Sequence, residues 1–224
     1  MNIVVSAMRR LVPLLGTAMI ISLSSLLPVE IEAHGYLASP RSRNFYAHEM
    51  TEWSSPTADD PEPEPDPQSL NQGTLCGKTG DHDYNHPRNA LGGPMRTNIQ
   101  ATWTRGEEVV VDVVLTANHK GHFIFSACKI REGELPTQDC FDQHRLTFVE
   151  DLLHGANRDP RHPERAYVAP NAHRVPSDLS GSFASAPTIY SYKMRLPFDL
   201  EGDIVLLQWQ VHLIAIWIST RKQI

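Results

Sequence analysis

Residues 108–115, Glu-Val-Val-Val-Asp-Val-Val-Leu, give the strongest indication of the fold class in this sequence. Valine dominates this segment, and β-branched side chains pack well on the pleated surface of a sheet. The turn residues Arg105-Gly106 come just before it. The segment therefore predicts a buried β-strand.

Further strand-like segments lie on both sides of this one, at Ala101–Trp103, His122–Cys128, Ile189–Leu196 and Asp203–Trp209. They are short, apolar or alternating, and separated by turn residues, whereas helical periodicity is scarce. This pattern predicts an all-β fold, an immunoglobulin or fibronectin III-like antiparallel β-sandwich with long loops. Phe148–Leu153 instead predicts a short helix within a long connection.

Two loop-like regions separate the N-terminal part from these strands. Residues 56–67 alternate proline with acidic residues, which predicts a solvated surface loop outside any sheet ladder. A flexible loop would not hold two carboxylates at a catalytic separation, which disfavours acid–base glycoside hydrolysis. Residues 71–98 are rich in Gly, Asn, Asp and Pro and predict long loops.

Length and composition limit the classes of function. The chain has 224 residues, which fits one globular domain, and we find no internal repeat. Charged residues make up 21% and hydrophobic residues 41%, which excludes a disordered chain and a membrane protein. The net charge of −6 without a basic block disfavours a nucleic-acid partner and is compatible with a neutral polysaccharide.

The N-terminal residues have the features of a secretory signal peptide. Two arginines at 9–10 precede an apolar stretch over residues 11–27, and a small residue stands before the expected cleavage position. We therefore predict a signal peptide over residues 1–33 and a secreted, extracellular domain over residues 34–224. A retained membrane anchor is the alternative, which a proline and a glycine within a run of marginal length disfavour.

The three cysteines are expected to meet an oxidising compartment. Cys128 and Cys140 are separated by twelve positions with turn residues between them. This spacing predicts a disulfide, which would stabilise the fold by about 3 kcal/mol through chain entropy. Cys76 is left without a partner.

A mature chain that begins at His34 offers an unusual metal ligand. The α-amine titrates near neutrality, so the amine and ring Nδ1 can chelate one ion. Nitrogen ligation that includes imidazole suits Cu(II), and a second imidazole would complete a three-nitrogen site. His119 and His122 both follow the 108–115 strand, so either could supply the second imidazole. His119 is favoured because it is expected to lie in a loop. Six histidines in polar loops are assigned no role: 82, 86, 144, 154, 162 and 173.

Two motifs carry a resemblance to a known family. Residues 34–44, His-Gly-Tyr-Leu-Ala-Ser-Pro-Arg-Ser-Arg-Asn, resemble the N-terminus of lytic polysaccharide monooxygenases, the chitin-binding type 4 domains of the auxiliary activity class. Residues 116–123, Thr-Ala-Asn-His-Lys-Gly-His-Phe, resemble the second copper-histidine motif of that family. The resemblance covers roughly residues 34–209, and the two motifs together are more specific than either alone.

The resemblance implies a site and an activity. His34 and His119 would be the catalytic residues and would hold one copper ion, with Ala117 near the open axial position. Tyr36 would lie on the substrate face or pack in the core. The implied activity is oxidative cleavage of an insoluble β-1,4-linked polysaccharide, chitin or cellulose, with an external electron donor and O2 or H2O2. We expect a monomer with no nucleic-acid or membrane partner.

The sequence after Trp209 departs from the family pattern. Family members carry an axial aromatic in this region, yet no Tyr or Phe follows Phe198. Together with the unpaired Cys76, this indicates a C-terminally truncated or divergent member. His212 lies in the departing segment, and we do not assign it as a ligand. The alternative functions are a non-catalytic polysaccharide-binding module and a copper-binding protein that has lost oxygenase activity.

Overall fold

Strands that share one core make up most of the regular structure. The computed structural model describes residues 35–50, 55–64, 67, 75, 78–79, 82–116, 120–169 and 188–212. The predicted signal peptide lies outside the described residues, as do five residues singled out above: His34, Cys76, Ala117, His119 and His173.

Within the described ranges the chain forms nine strands and two helices. The strands are β1 Gly35–Ser39, β2 Lys78–Thr79, β3 His82–Asp83, β4 Glu108–Leu115, β5 His122–Ile130, β6 Thr147–Asp151, β7 Arg165–Tyr167, β8 Thr188–Arg195 and β9 Ile204–His212. The helices are α1 Arg43–Glu49 and α2 Gln138–Gln143.

The strands form two main antiparallel sheets. One sheet has the order β1-β4-β8-β6, and the other has the order β7-β5-β9. β2 and β3 form a separate two-stranded ladder. Four strands facing three is the arrangement of the smaller immunoglobulin-type sandwiches. The predicted all-β antiparallel sandwich is therefore confirmed.

The core lies between the two sheets because alternate residues of each strand point inward. On β4 the inward residues are Val109, Val111 and Val113, while Val110 between them is 43% exposed. β5 contributes Phe123 from the opposite sheet, which has no exposed surface. The valine-rich segment that predicted the fold is thus an interior strand of the larger sheet.

Phe123 is the centre of an aromatic cluster. Its ring meets four neighbours edge-on at centroid distances of 5.5–6.3 Å, namely Phe125, Tyr190, Tyr192 and Trp209. Edge-to-face contacts of this kind add to the free energy gained from burial. The cluster joins β5 and β9 of one sheet to β8 of the other.

Two predicted elements were wrong. Residues 148–153 are not a short helix: Phe148 belongs to β6 and pairs with Met194, and a bulge before Glu150 hides the two-residue alternation. Residues 101–103 do not form a strand, because Trp103 packs against the core without joining a ladder. The strand predicted over 108–115 has the bounds of β4, and the other three predicted strands are present as β5, β8 and β9 with ends that shift by at most three residues.

The acidic proline-rich loop is more firmly held than its composition predicted. The Glu62 amide donates to the Arg88 carbonyl at 2.8 Å, so residues between prolines do form ladder-like bonds. Glu64 is only 5% exposed, and its Oε2 accepts a 2.7 Å bond from the hydroxyl of Tyr84. The expectation of a solvated loop was therefore wrong for this buried carboxylate.

The predicted disulfide joins Cys128 on β5 to Cys140 on α2. The sequence predicted the bond but not the helix, which begins after Thr137. The side chain of Thr137 accepts from the Cys140 amide at 3.2 Å and caps the helix. The bond therefore fastens α2 to the outer face of the three-stranded sheet.

We predict that Phe123→Ala destabilises the protein by about 3–5 kcal/mol, because it empties the centre of the aromatic cluster. Val110→Ala on the solvent face of β4 is the matched control and is expected to change stability by about 0.5 kcal/mol or less. Urea unfolding measures both values. Equal losses in the two variants would show that the core does not lie where the structure puts it.

Candidate metal centre

One end of the sandwich gathers the segments next to both predicted copper ligands. Gly35, the first residue of β1, pairs with Leu115, the last residue of β4. Leu115 also pairs with Thr188, where β8 begins. After the 116–121 loop, β5 begins at His122. We call this region the Gly35 end.

A close approach between the two sheets fixes the start of β1. A Cβ atom on Gly35 would overlap the Val114 carbonyl oxygen and would lie 2.8 Å from Cδ2 of Leu115. It would also lie 3.2 Å from Cη2 of Trp209, on the opposite sheet. Only glycine fits at this position without displacing a backbone atom.

Two residues with left-handed backbone stand directly before β5. Lys120 has φ 62° and Gly121 has φ 116°. The positive φ of Lys120 is unusual for a residue with a side chain. It indicates local backbone strain that contacts elsewhere must offset. The Gly121 carbonyl accepts a 3.0 Å hydrogen bond from the Val168 amide. This bond fixes the residue before β5 next to the residue after β7.

Tyr36 has a packing role at this end. Its side chain is 5% exposed, and its ring stacks on Phe45 of α1 with a centroid distance of 4.3 Å. Burial, followed by the nearby Glu49, raises the pKa of the Tyr36 hydroxyl. A ring buried in this way offers no face to a polysaccharide, so the core alternative describes Tyr36.

His122 and His212 face each other across β5 and β9. They are partners in the strand register, and their rings are stacked with a centroid distance of 5.0 Å and an interplanar angle of 5°. Tyr167 of β7 is the partner of His122 on the other side, with a centroid distance of 5.5 Å. The three rings form a row across the outer face of the three-stranded sheet.

Both histidines have lowered pKa values. Burial first, and then His212 and Arg165, lower the pKa of His122 from 6.5 to about 4. Burial first, and then Arg165 and Arg145, lower the pKa of His212. The neutral imidazole of His122 is therefore the dominant form near neutral pH.

An open cleft of about 450 Å³ lies at the same end, lined by residues 154–160 and 167–169. Asp151 stabilises the rim of the cleft. Its carboxylate accepts hydrogen bonds from the backbone amides of Leu153, His154 and Ala156 at 3.0–3.1 Å. Nε2 of His154 donates to the Ile189 carbonyl at 2.7 Å, which ties the rim to β8. Asn157, Arg158 and Asp159 give the cleft a polar lining.

Within the part of the chain that the structure describes, no group of three or more His, Cys, Asp or Glu residues could hold a metal ion. Among the same residues, no helix has the length and apolar character needed to cross a membrane. The predicted ligands His34 and His119 lie outside this part, so their relative position stays a prediction. Sequence reasoning named His122 and His212 separately but missed their pairing, which depends on a strand register that the sequence does not reveal.

We predict that the His122 ring titrates in NMR with a midpoint near pH 4 rather than 6.5. Because folding favours its neutral form, stability from this group is present above about pH 6.5 and is lost as the pH falls towards 4. His212→Asn should raise the midpoint only in part, since burial is the larger cause. A His122 midpoint of 6.5 in the folded wild-type protein would contradict this environment.

Comparison with known proteins places the chain in a family. A family model described as "Lytic polysaccharide mono-oxygenase, cellulose-degrading" matches residues 34–216. The structure is similar to a solved lytic polysaccharide monooxygenase of class AA15 from Thermobia domestica in the Cu(I) state, with 24% identity and a TM-score of 0.48 over 79% of this chain and 81% of that chain. Among curated proteins, none matches. Since the family model matches well over half of the sequence, this chain belongs to the lytic polysaccharide monooxygenase family.

Proposed function

We propose that this protein is a secreted, copper-dependent lytic polysaccharide monooxygenase that cleaves a β-1,4-linked polysaccharide oxidatively. His34, through its amine and ring, and His119, through its ring, would hold one copper ion. The observation that carries the proposal is the pairing of Gly35 with Leu115, because it brings the chain next to one ligand against the strand that leads to the other.

Covalent distances support this ligand set. His34 is one peptide bond from Gly35, so their Cα atoms are about 3.8 Å apart. His119 follows Leu115 by four residues, which span at most about 14 Å even when fully extended. It is also bonded to Lys120, whose neighbour Gly121 is tied to Val168. These distances are compatible with a site at the Gly35 end in which both imidazoles bind one ion.

The donor set fits copper and suits the proposed chemistry. Two imidazoles and one amine are nitrogen donors that favour Cu(II) over other first-row divalent ions. Bound copper would supply the redox centre at which an external electron donor and O2 or H2O2 react. The amine of His34 must be unprotonated to bind, and an α-amine meets this condition near neutral pH. The close packing at Gly35 holds the chain beside this amine in place.

The Gly35 end also has surface for a neutral polymer. Leu152 and Leu153 are 41% and 53% exposed and lie beside the polar cleft. Apolar side chains next to amide, guanidinium and carboxylate groups can match the apolar faces and hydroxyl groups of a sugar chain. The net charge of −6 is no obstacle, because chitin and cellulose are uncharged. These features support an insoluble polysaccharide as the substrate.

The N-terminal amine gives the sharpest test. A protein that retains Ala33 before His34 is expected to bind Cu2+ on the order of a hundredfold more weakly, because the His34 nitrogen becomes an amide, which has to lose a proton before it can bind the ion. Calorimetric titration measures the affinity, and product analysis on cellulose and chitin with a reductant should find oxidised oligosaccharides only with the mature protein. Removal of Ala33 by an aminopeptidase is the matched control and should restore both properties. Unchanged copper affinity with Ala33 retained would refute the proposal.

A non-catalytic copper-binding or polysaccharide-binding module is the second candidate. The sequence favours it in one respect, because residues 210–217, Gln-Val-His-Leu-Ile-Ala-Ile-Trp, contain no Tyr or Phe where the family resemblance leads us to expect an axial aromatic. Tight copper binding by the mature protein, with binding to cellulose or chitin but without oxidised products, would assign this function.

A further inference from the structure

A pair of imidazoles on the outer face of the three-stranded sheet is not used by the proposed His34–His119 site. His122 and His212 are direct partners on neighbouring strands, and their rings are parallel with centroids 5.0 Å apart. The nine-residue ladder between β5 and β9 fixes the distance between the two backbones. Side chains directly opposite each other in an antiparallel pair lie within reach of one another.

The pair points away from the core. Phe123 and Val211, the next residue on β5 and the preceding one on β9, pack in the core, so His122 and His212 lie on the opposite face. His212 is exposed and His122 is partly exposed, so an ion can reach both rings from solvent. The strands hold the two side chains within reach of one ion, and the stacked rings have to turn about their side-chain torsions before one nitrogen of each can point at it.

We propose that His122 and His212 form a second divalent-metal site, which binds Cu2+ through one nitrogen of each imidazole. Imidazole is a ligand suited to Cu, Zn and Ni, and Cu2+ binds such donors most tightly. Two imidazole nitrogens are the protein donors that we assign to this site. This site is therefore weaker than the three-nitrogen chelate of His34 and His119.

The charges around the pair also limit its affinity. Four groups act electrostatically on one or both histidines: Arg165, His162, Glu164 and Arg145. The two arginines repel a cation, whereas Glu164 attracts it, and salt screens both effects. Acid will release the ion, because protons compete for the same ring nitrogens.

The test uses the full mature protein and Cu2+ in calorimetric titrations at neutral pH. We expect two binding events in the wild type and loss of only the weaker one in His122→Asn and in His212→Asn. Each substitution should weaken this event on the order of a hundredfold, because a chelate becomes a single contact. His86→Asn is the matched control, since His86 is an exposed histidine that contacts Asp83 rather than the pair. It should leave both events unchanged.

A second experiment separates this site from the proposed function. In the protein that retains Ala33, the weaker event should persist and should still depend on His122 and His212. Cu2+ should also broaden the NMR signals of both rings at the same ratio of metal to protein, and circular dichroism verifies that the Asn variants are folded. Two unchanged binding events in folded His122→Asn and His212→Asn proteins would overturn the second site, whatever the result for His34.

Discussion

The antiparallel pairing of Gly35 with Leu115 is the interaction on which the Gly35 end depends. It joins β1 to the edge of β4, and the absence of a Cβ at Gly35 lets Trp209 approach from the other sheet. A larger residue would separate the two sheets or move the start of β1. The proposed ligand His34 directly precedes this glycine in the sequence, so the proposed copper site requires glycine at residue 35.

β5 begins at the Gly35 end, and its two faces make different contacts. Phe123 faces inward and holds the two sheets together through its contacts with four aromatic rings. His122 faces outward and meets His212 and Tyr167. Further along the strand, Cys128 fastens α2. One strand therefore supports the core, the histidine pair and the disulfide.

The main strands could be predicted from the sequence where their β-branched and apolar residues form a clear local pattern. The strand β4 could be predicted from its valines, and the disulfide from the spacing of Cys128 and Cys140, without knowledge of tertiary contacts. β6 was mistaken for a helix because a bulge interrupts its alternation, and only its pairing with β8 reveals it. The same limit applies to His122 and His212, which are ninety residues apart and become neighbours through strand register. His34 and His119 were predicted from the cleavage position and from family motifs rather than from geometry.

The proposed function requires that the His34 amine, the His34 ring and the His119 ring bind one ion. Pulsed electron paramagnetic resonance of the mature protein with less than one equivalent of Cu2+ detects the nitrogens bound to that ion. We expect couplings to two imidazoles and one amine nitrogen, with one imidazole coupling lost in His119→Asn. A spectrum with a single imidazole, or one that His119→Asn leaves unchanged, would contradict this requirement.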